Sequence, residues 1–319
     1  MNPFLSVITF SIFTSFLLRL LIPAFSKISL DIPNIRSSHK YPIPRGGGLI
    51  FVLVSSIACI QQLLTGSMST FVDNSAILIA FPLAVVGFFD DRFNLPVGLR
   101  YGVQLITAFF LISVSPLPLP LPWLCLPFLL ILSTAVINFT NFMDGLDGLV
   151  AGCMALAIGG VSFSLNASLS YWALVGSLLG FIYWNWQPAK VFMGDVGSTF
   201  LGAVFIGLVF QSASWTQAMS CFLVGTPLFA DACSCVLRRF CAGQPVFKGH
   251  RLHLYQRLNQ AGWSHARVSL IYFLATALLL LNLILADIAW VFISSLVVFS
   301  FGIWLDQCVA VPFNVASKG

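Results

Sequence analysis

The sequence predicts an all-α, polytopic transmembrane helical bundle. Of 319 residues, 59% are hydrophobic and only 8% are charged. A soluble domain carries roughly 25% charged residues, so most of this surface never meets water. Mean hydropathy is +0.97. The apolar runs are numerous, and most approach the roughly 20 residues that a helical crossing needs. The chain, 1–319, reads as a single integral membrane domain.

Eleven apolar stretches are candidate spans: 4–26, 47–65, 74–89, 98–116, 122–138, 148–165, 169–186, 197–212, 216–236, 267–286 and 288–308. The last two part only at Ala286-Asp287, so ten spans are the alternative. Met1 to Phe25 has no early Lys or Arg and no clear small-residue cleavage site, so it reads as an uncleaved first span. Alternate gaps hold Lys27, Arg36, Lys40, Arg45, Arg92, Lys190, Arg238, Arg239, Lys248, Arg251 and Arg257, with Arg100 and Arg267 at helix starts on the same side. The other gaps hold no Lys or Arg. Basic short loops stay in the cytoplasm. The N-terminus is therefore expected in the periplasm, and Lys318 with the basic loops inside. Arg19 lies near the inner end of its span, where it can snorkel.

All ten acidic residues are Asp. Glu, a good helix former, is what a wet helix surface would carry. Asp alone points to turns and sites. Asp90, Asp91, Asp144, Asp147, Asp195 and Asp231 fall at inner ends, whereas Asp73 and Asp287 fall outside. An ionised Asp at bilayer depth costs roughly 2.5–3.5 kcal/mol, so such a group needs cations, water or a metal. For any single Asp, a helix cap is an equal reading. The net charge of +5 fits anionic headgroups and topology rather than nucleic acid. The eight Cys lie mostly in apolar runs. Cys233-Ser-Cys235 has no second Cys pair or nearby His to complete a zinc set, and reads as structural.

Five segments carry chemistry. Gly87-Phe-Phe-Asp90-Asp91-Arg92-Phe-Asn94-Leu95-Pro96 sets two carboxylates side by side. A divalent cation or a shared proton relieves their repulsion, or Arg92 pairs one of them. Asn138-Phe-Thr-Asn141-Phe-Met-Asp144-Gly145-Leu-Asp147-Gly148-Leu149 is the most specific signal. On a helix its i,i+3 residues would be neighbours, and hard oxygen ligands suit Mg²⁺ with phosphates. Phe192-Met-Gly194-Asp195-Val-Gly197-Ser198 puts Asp195 at a helix start, as a metal ligand or a cap. The basic loop Lys248-Gly249-His250-Arg251-Leu-His253-Leu-Tyr255-Gln256-Arg257 suits phosphate and sugar, with lipid headgroups competing. Arg36-Ser-Ser-His39-Lys40-Tyr-Pro42-Ile-Pro44-Arg45-Gly46-Gly47-Gly48 is a stiff basic loop, topogenic or phosphate-binding.

Taken together and in order from about Asp31 to Arg267, these motifs resemble the polyprenyl-phosphate N-acetylhexosamine-1-phosphate transferase family. The resemblance implies transfer of a sugar 1-phosphate from a UDP-N-acetylhexosamine to undecaprenyl phosphate, with release of UMP, in the bacterial inner membrane with the site facing the cytoplasm. It implies Mg²⁺, or Mn²⁺ in its place. Asp90 would deprotonate or orient the lipid phosphate. Asp195 would be the principal metal ligand, with Asp91 close by. Asn138, Asn141, Asp144 and Asp147 would shape the metal and nucleotide site. His250, Arg251 and His253 would meet the donor, and Asp231 matches a further family acid; His39 and Arg45 belong to the first inner loop. The form of the His loop is similar to the O-antigen and capsule branch, whose donors are UDP-GlcNAc or the 6-deoxy sugars FucNAc and QuiNAc. A MurNAc-pentapeptide donor is the alternative within the family, and a secondary transporter with intramembrane carboxylates is the alternative outside it. The expected partners are the UDP-sugar, the lipid phosphate and the bilayer, with a homodimer left open.

Overall fold

A computed structural model describes residues 2–33, 38–39, 41–65, 69–119, 122–245 and 249–317. Arg36, Lys40, Lys248 and Lys318 lie outside them. The chain runs α1 (Pro3–Ile28), a two-stranded ribbon of β1 (Leu30–Asp31) and β2 (Ile43–Pro44), α2 (Gly48–Thr65), α3 (Ser69–Phe93), α4 (Val97–Ser113), α5 (Pro122–Phe142), α6 (Leu149–Ser164), α7 (Leu169–Asn185) and α8 (Gly194–Val209). It continues through α9 (Trp215–Leu223), α10 (Thr226–Cys241), α11 (Leu254–Gln260), α12 (His265–Leu285), α13 (Ile288–Cys308) and α14 (Phe313–Ala316).

Every stretch read as apolar forms helix, and the protein is an all-α, multi-pass membrane bundle. Among the described residues, five helices are long and apolar enough to cross a membrane: α1, α2, α12, α13 and, over Leu124–Phe142, α5. The stretch expected as one span over 216–236 is broken into α9 and α10, which meet at 79° and count as a sixth crossing if taken together. Gly225 caps the second piece and Pro227 sits in its first turn, where the missing N–H costs nothing. Helices α4, α6 and α8 are apolar but shorter.

Helix α8 is the centre. Every residue from Val196 to Val209 is buried, as expected of a helix that is apolar all round. Around it pack α2, α3, α5 and α6. Helix α1 lies along α7, where Gly176 and Gly180 let the backbones approach. An added Cβ would stand 2.5 Å from Val7 O at the first and 2.3 Å from Ser11 O at the second. Small residues four apart are the usual means of close helix contact in lipid. Trp184 Nε1 donates to Ser15 O at 3.1 Å across the same seam. At the other side, Asp306 of α13 accepts from Arg238 of α10 at 2.7 Å and pairs with Arg257 of α11, fixing α11 against the bundle.

Gly180→Ala drives a methyl into the Ser11 carbonyl. Overpacking of this kind costs about 1–3 kcal/mol. The variant is expected to unfold at lower temperature than the parent in detergent, while Gly98→Ala, with nothing within 4 Å of an added Cβ, is expected to melt close to the parent.

Candidate active site

A cavity of about 230 Å³ opens where α3, α8, the ribbon and the loop before α6 converge. Four carboxylates line it: Asp31, Asp91, Asp144 and Asp195. Arg45, His39, Asn185, Phe192, Gly194 and Gln256 complete much of the wall.

Backbone pairing builds this wall. In the ribbon Asp31 pairs with Ile43 and Leu30 with Pro44, which sets Asp31 beside Arg45. The strand then zips onto the segment before α8: Phe192 N donates to Pro44 O at 2.9 Å, Gly47 N to Phe192 O at 3.0 Å and Gly48 N to Met193 O at 3.1 Å. A side chain at Gly48 would block this, since its Cβ would lie 2.5 Å from Met193 O. Helix α8 opens on Gly194 at φ +71°, a left-handed conformation that glycine adopts without strain. A Cβ there would stand 2.3 Å from Asp91 Oδ2, so the Asp91 carboxylate occupies the space the glycine leaves.

Arg45 serves the acids. Its Nη2 lies 2.9 Å from Asp31 Oδ2 and its Nη1 3.8 Å from Asp91 Oδ1. Burial pulls its pKa down, but Asp31, Asp91 and Asp195 outweigh that and hold it above the ordinary value. His39 Nε2 donates to Asp31 O at 3.3 Å, and its ring meets Phe192 edge-on at 5.1 Å. Asp195 accepts a hydrogen bond from the Asn141 amide and lies against Asp90. Asp91 Oδ2 is buried with no hydrogen-bond partner. Asp144 sits in the non-helical loop after α5, half-exposed to the cavity yet deep in the protein. Burial, then Asp195 and Asp91, push its pKa up to about 8 against the pull of Arg45. Hard oxygen donors, one of them orphaned, around a cation-poor hollow fit a Mg²⁺-type ion. Asp91, Asp144 and Asp195 are the residues that could hold it with substrate oxygens completing the shell, since their carboxylates do not all come within 4.8 Å of one another.

The other acids of the motifs face elsewhere. Asp90 is next to Asp91 but on another face of α3. Its Oδ2 accepts from Arg100 Nη1 at 2.6 Å and its Oδ1 from Leu95 N at 2.7 Å. Asp147 is not on a helix with Asp144, because α5 ends at Phe142 and Gly148 turns at φ +76°. Its Oδ1 lies 3.1 Å from His265 Nδ1, and its Oδ2 accepts from Ala189 N at 3.2 Å. Asn138 pairs with Gln104 of α4, donating at 2.6 Å. Asp231 takes the first N–H groups of α11, from Leu254 at 2.7 Å and Tyr255 at 3.0 Å, and the Tyr272 hydroxyl at 2.7 Å. It lines a separate, mostly apolar hollow between α10, α12 and α13.

The basic loop reaches the cavity through its helix. Gln256 lines it, and Tyr255 hydroxyl donates to Phe142 O at 2.9 Å. His253 is buried and packs against Phe142, with ring centroids 6.2 Å apart. Burial, with His253 and Arg239, holds His250 down to about 3, so its ring is neutral. His250, Arg251 and His253 stand behind the cavity wall, not on it. Asp31, Asn185 and Gln256 are cavity residues outside the sequence-derived set.

Asp144 gives the site a pH signature in the absence of metal. Its pKa of about 8 exceeds the roughly 3.9 of a free Asp. Between those values the folded protein binds more protons than the unfolded chain, so stability falls as pH rises through the window. In chelator, the melting temperature is expected to drop from pH 5 to pH 8.5. Asp144→Asn should flatten part of that slope; an unchanged slope would place the proton elsewhere.

Comparison with known proteins bears on the chemistry. The profile of glycosyl transferase family 4 matches residues 74–213, which span α3 to α8 and include Asp91, Asp144 and Asp195. A probable undecaprenyl-phosphate N-acetylglucosaminyl 1-phosphate transferase of Bacillus subtilis is 28% identical over 316 residues, covering 91% of this chain and 86% of that protein. The decaprenyl-phosphate N-acetylglucosaminephosphotransferase of Mycobacterium leprae is 32% identical over 295 residues, covering 76% and 73%. A phospho-N-acetylmuramoyl-pentapeptide-transferase of Halalkalibacterium halodurans is 29% identical over 298 residues, covering 83% and 88%. With five motifs in order and relatives aligned across most of its length, the chain belongs to glycosyl transferase family 4, the polyprenyl-phosphate N-acetylhexosamine-1-phosphate transferases, and is a membrane-embedded sugar-phosphate transferase.

Proposed function

We propose that this enzyme transfers N-acetylhexosamine 1-phosphate from a UDP-sugar to undecaprenyl phosphate, releasing UMP, to initiate a surface polysaccharide of the O-antigen or capsule type. The donor is UDP-GlcNAc or a 6-deoxy relative. The basic loops support a site at the cytoplasmic face of the inner membrane, with the N-terminus in the periplasm. The observation that carries the reading is the gathering of Asp91, Asp144 and Asp195 around one hollow, with Asp91 Oδ2 unpartnered. Enzyme-family membership displaces the transporter alternative.

The reaction joins two anions. An oxygen of the lipid phosphate attacks the β-phosphorus of the UDP-sugar, and the bond from that phosphorus to the bridging oxygen breaks as UMP leaves. Mg²⁺ or Mn²⁺ held by Asp91, Asp144 and Asp195 would supply Lewis-acid charge neutralisation of the diphosphate. Arg45 is placed to add a fixed positive charge beside it. Asp90, held by Arg100 and the Leu95 N–H, lies against Asp195. It is suited to hold that ligand in place; the role of base toward the lipid phosphate that the resemblance implies is not supported by its contacts, since Arg100 and Leu95 N take both its oxygens. Asn141 orients Asp195 from the other side. Asp147, through His265 and Ala189 N, locks the loop that presents Asp144.

Purified protein with Mg²⁺, undecaprenyl phosphate and a panel of UDP-sugars should release UMP fastest with UDP-GlcNAc or a 6-deoxy N-acetyl sugar. Asp195→Ala should lower the rate by more than about 100-fold, and a chelator should stop it. Undiminished turnover after removal of all divalent metal would falsify the proposed chemistry, and preference for a MurNAc-pentapeptide donor would move the enzyme to the other branch.

A further inference from the structure

Away from the acid cavity, three donors of a softer kind converge. Cys235 of α10, His250 of the loop before α11 and His253 at the cap of α11 each bring a donor atom within 4.8 Å of the other two. The sequence sets zinc aside at Cys233-Ser-Cys235 for want of a nearby His, because Cys235 lies on a different element from the two imidazoles. The fold closes the gap by hanging the loop on Asp231, which sits one helical turn before Cys235 and accepts from Leu254 N and Tyr255 N. Cys235 and His253 are buried and His250 half-buried. The two imidazole rings stack with centroids 4.9 Å apart. His253 Nδ1 is buried and faces Asp231, 3.8 Å from its Oδ1.

We propose that Cys235, His250 and His253 form a binding site for a soft divalent cation of the Zn²⁺ type, tying the loop to α10. One thiolate and two imidazoles are the ligand set that zinc takes and that Mg²⁺ refuses. A carboxylate behind a ligating imidazole is the usual second partner of such a ring, and Asp231 occupies that position. Binding releases the Cys235 thiol proton to solvent. The thiolate and the Asp231 carboxylate then offset the dication, with Arg239 close to both Cys235 and His250. With three protein ligands a fourth position stays open, on the half-exposed side of His250. The site is independent of the reaction assigned to the acid cavity and differs from it in hardness, so one protein holds two cations without competition.

Co²⁺ reports the difference. The full-length, metal-free protein in detergent is titrated with Co²⁺ and followed by absorption. A single Co²⁺ should give a thiolate-to-metal charge-transfer band in the near ultraviolet and strong tetrahedral bands in the visible. Zn²⁺ should abolish them and excess Mg²⁺ should not. Cys235→Ser should lose the charge-transfer band, while Cys233→Ser, two residues away, should keep it. Should Cys235→Ser not fold, His250→Ala makes the same comparison through the visible bands. Absence of the charge-transfer band in the parent, its persistence in Cys235→Ser, retention of the visible bands in His250→Ala, or displacement by Mg²⁺ would each overturn the site.

Discussion

Mutual repulsion among buried carboxylates governs this molecule. Asp31, Asp91, Asp144 and Asp195 line one hollow, and Arg45 is the only permanent cation on its wall among the described residues. Two unit charges 4 Å apart repel by roughly 4 kcal/mol at a protein-like dielectric. Such a group collapses to protonated acids unless a cation arrives. Burial first, and then Asp195 and Asp91, raise the pKa of Asp144. The site is therefore built to be incomplete, and the surrounding fold has to hold the acids in place while nothing neutralises them.

The close backbone contacts do that work. Gly48 admits Met193 O, Gly87 admits the Asp195 backbone, and Gly194 makes room for the Asp91 carboxylate. Each removes a side chain exactly where two acid-bearing segments meet, so the acids are fixed by main chain rather than by flexible side-chain packing. The residues around them are tied off separately: Asp90 by Arg100, Asp147 by His265, and Asp231 by the start of α11. Among the described residues, Asp91 Oδ2 is the one buried carboxylate oxygen left without a hydrogen-bond partner. This division of labour also separates the proposed thiolate–imidazole site, with a single anionic donor and two neutral imidazoles, from the carboxylate hollow.

Much of this was legible in the sequence. Long apolar runs announce helices wherever they occur, and the order of the motifs announced the family. Helix α10 shows where hydropathy fails: the apolar run passes through Gly225-Thr226-Pro227 without interruption, and only turn chemistry marks the bend. Asp144 and Asp147 show the other failure. Their spacing suggested one helical face, but the chain leaves the helix at Phe142, so one carboxylate reaches the cavity and the other turns to His265. Asp31 escaped notice because its two-residue strand has no periodicity to read, and its role depends on Arg45 across the ribbon.

The adjacent pair Asp90 and Asp91 resolves what the sequence left open between a metal site and a charge knot. Successive residues on a helix point about 100° apart, so the two carboxylates meet different cations, although both lie near Asp195. Asp91 turns under Gly194 into the hollow, while Asp90 turns toward α4 and meets Arg100. Arg92, the residue that sequence adjacency nominates for the knot, lies instead over the ring of Phe93. The charge knot is met at Asp90, while the metal reading belongs to Asp91 as part of the proposed function. The charge knot on Asp90 anchors the end of α3, and that anchorage keeps Asp91 aimed at a cation it has no other means of attracting.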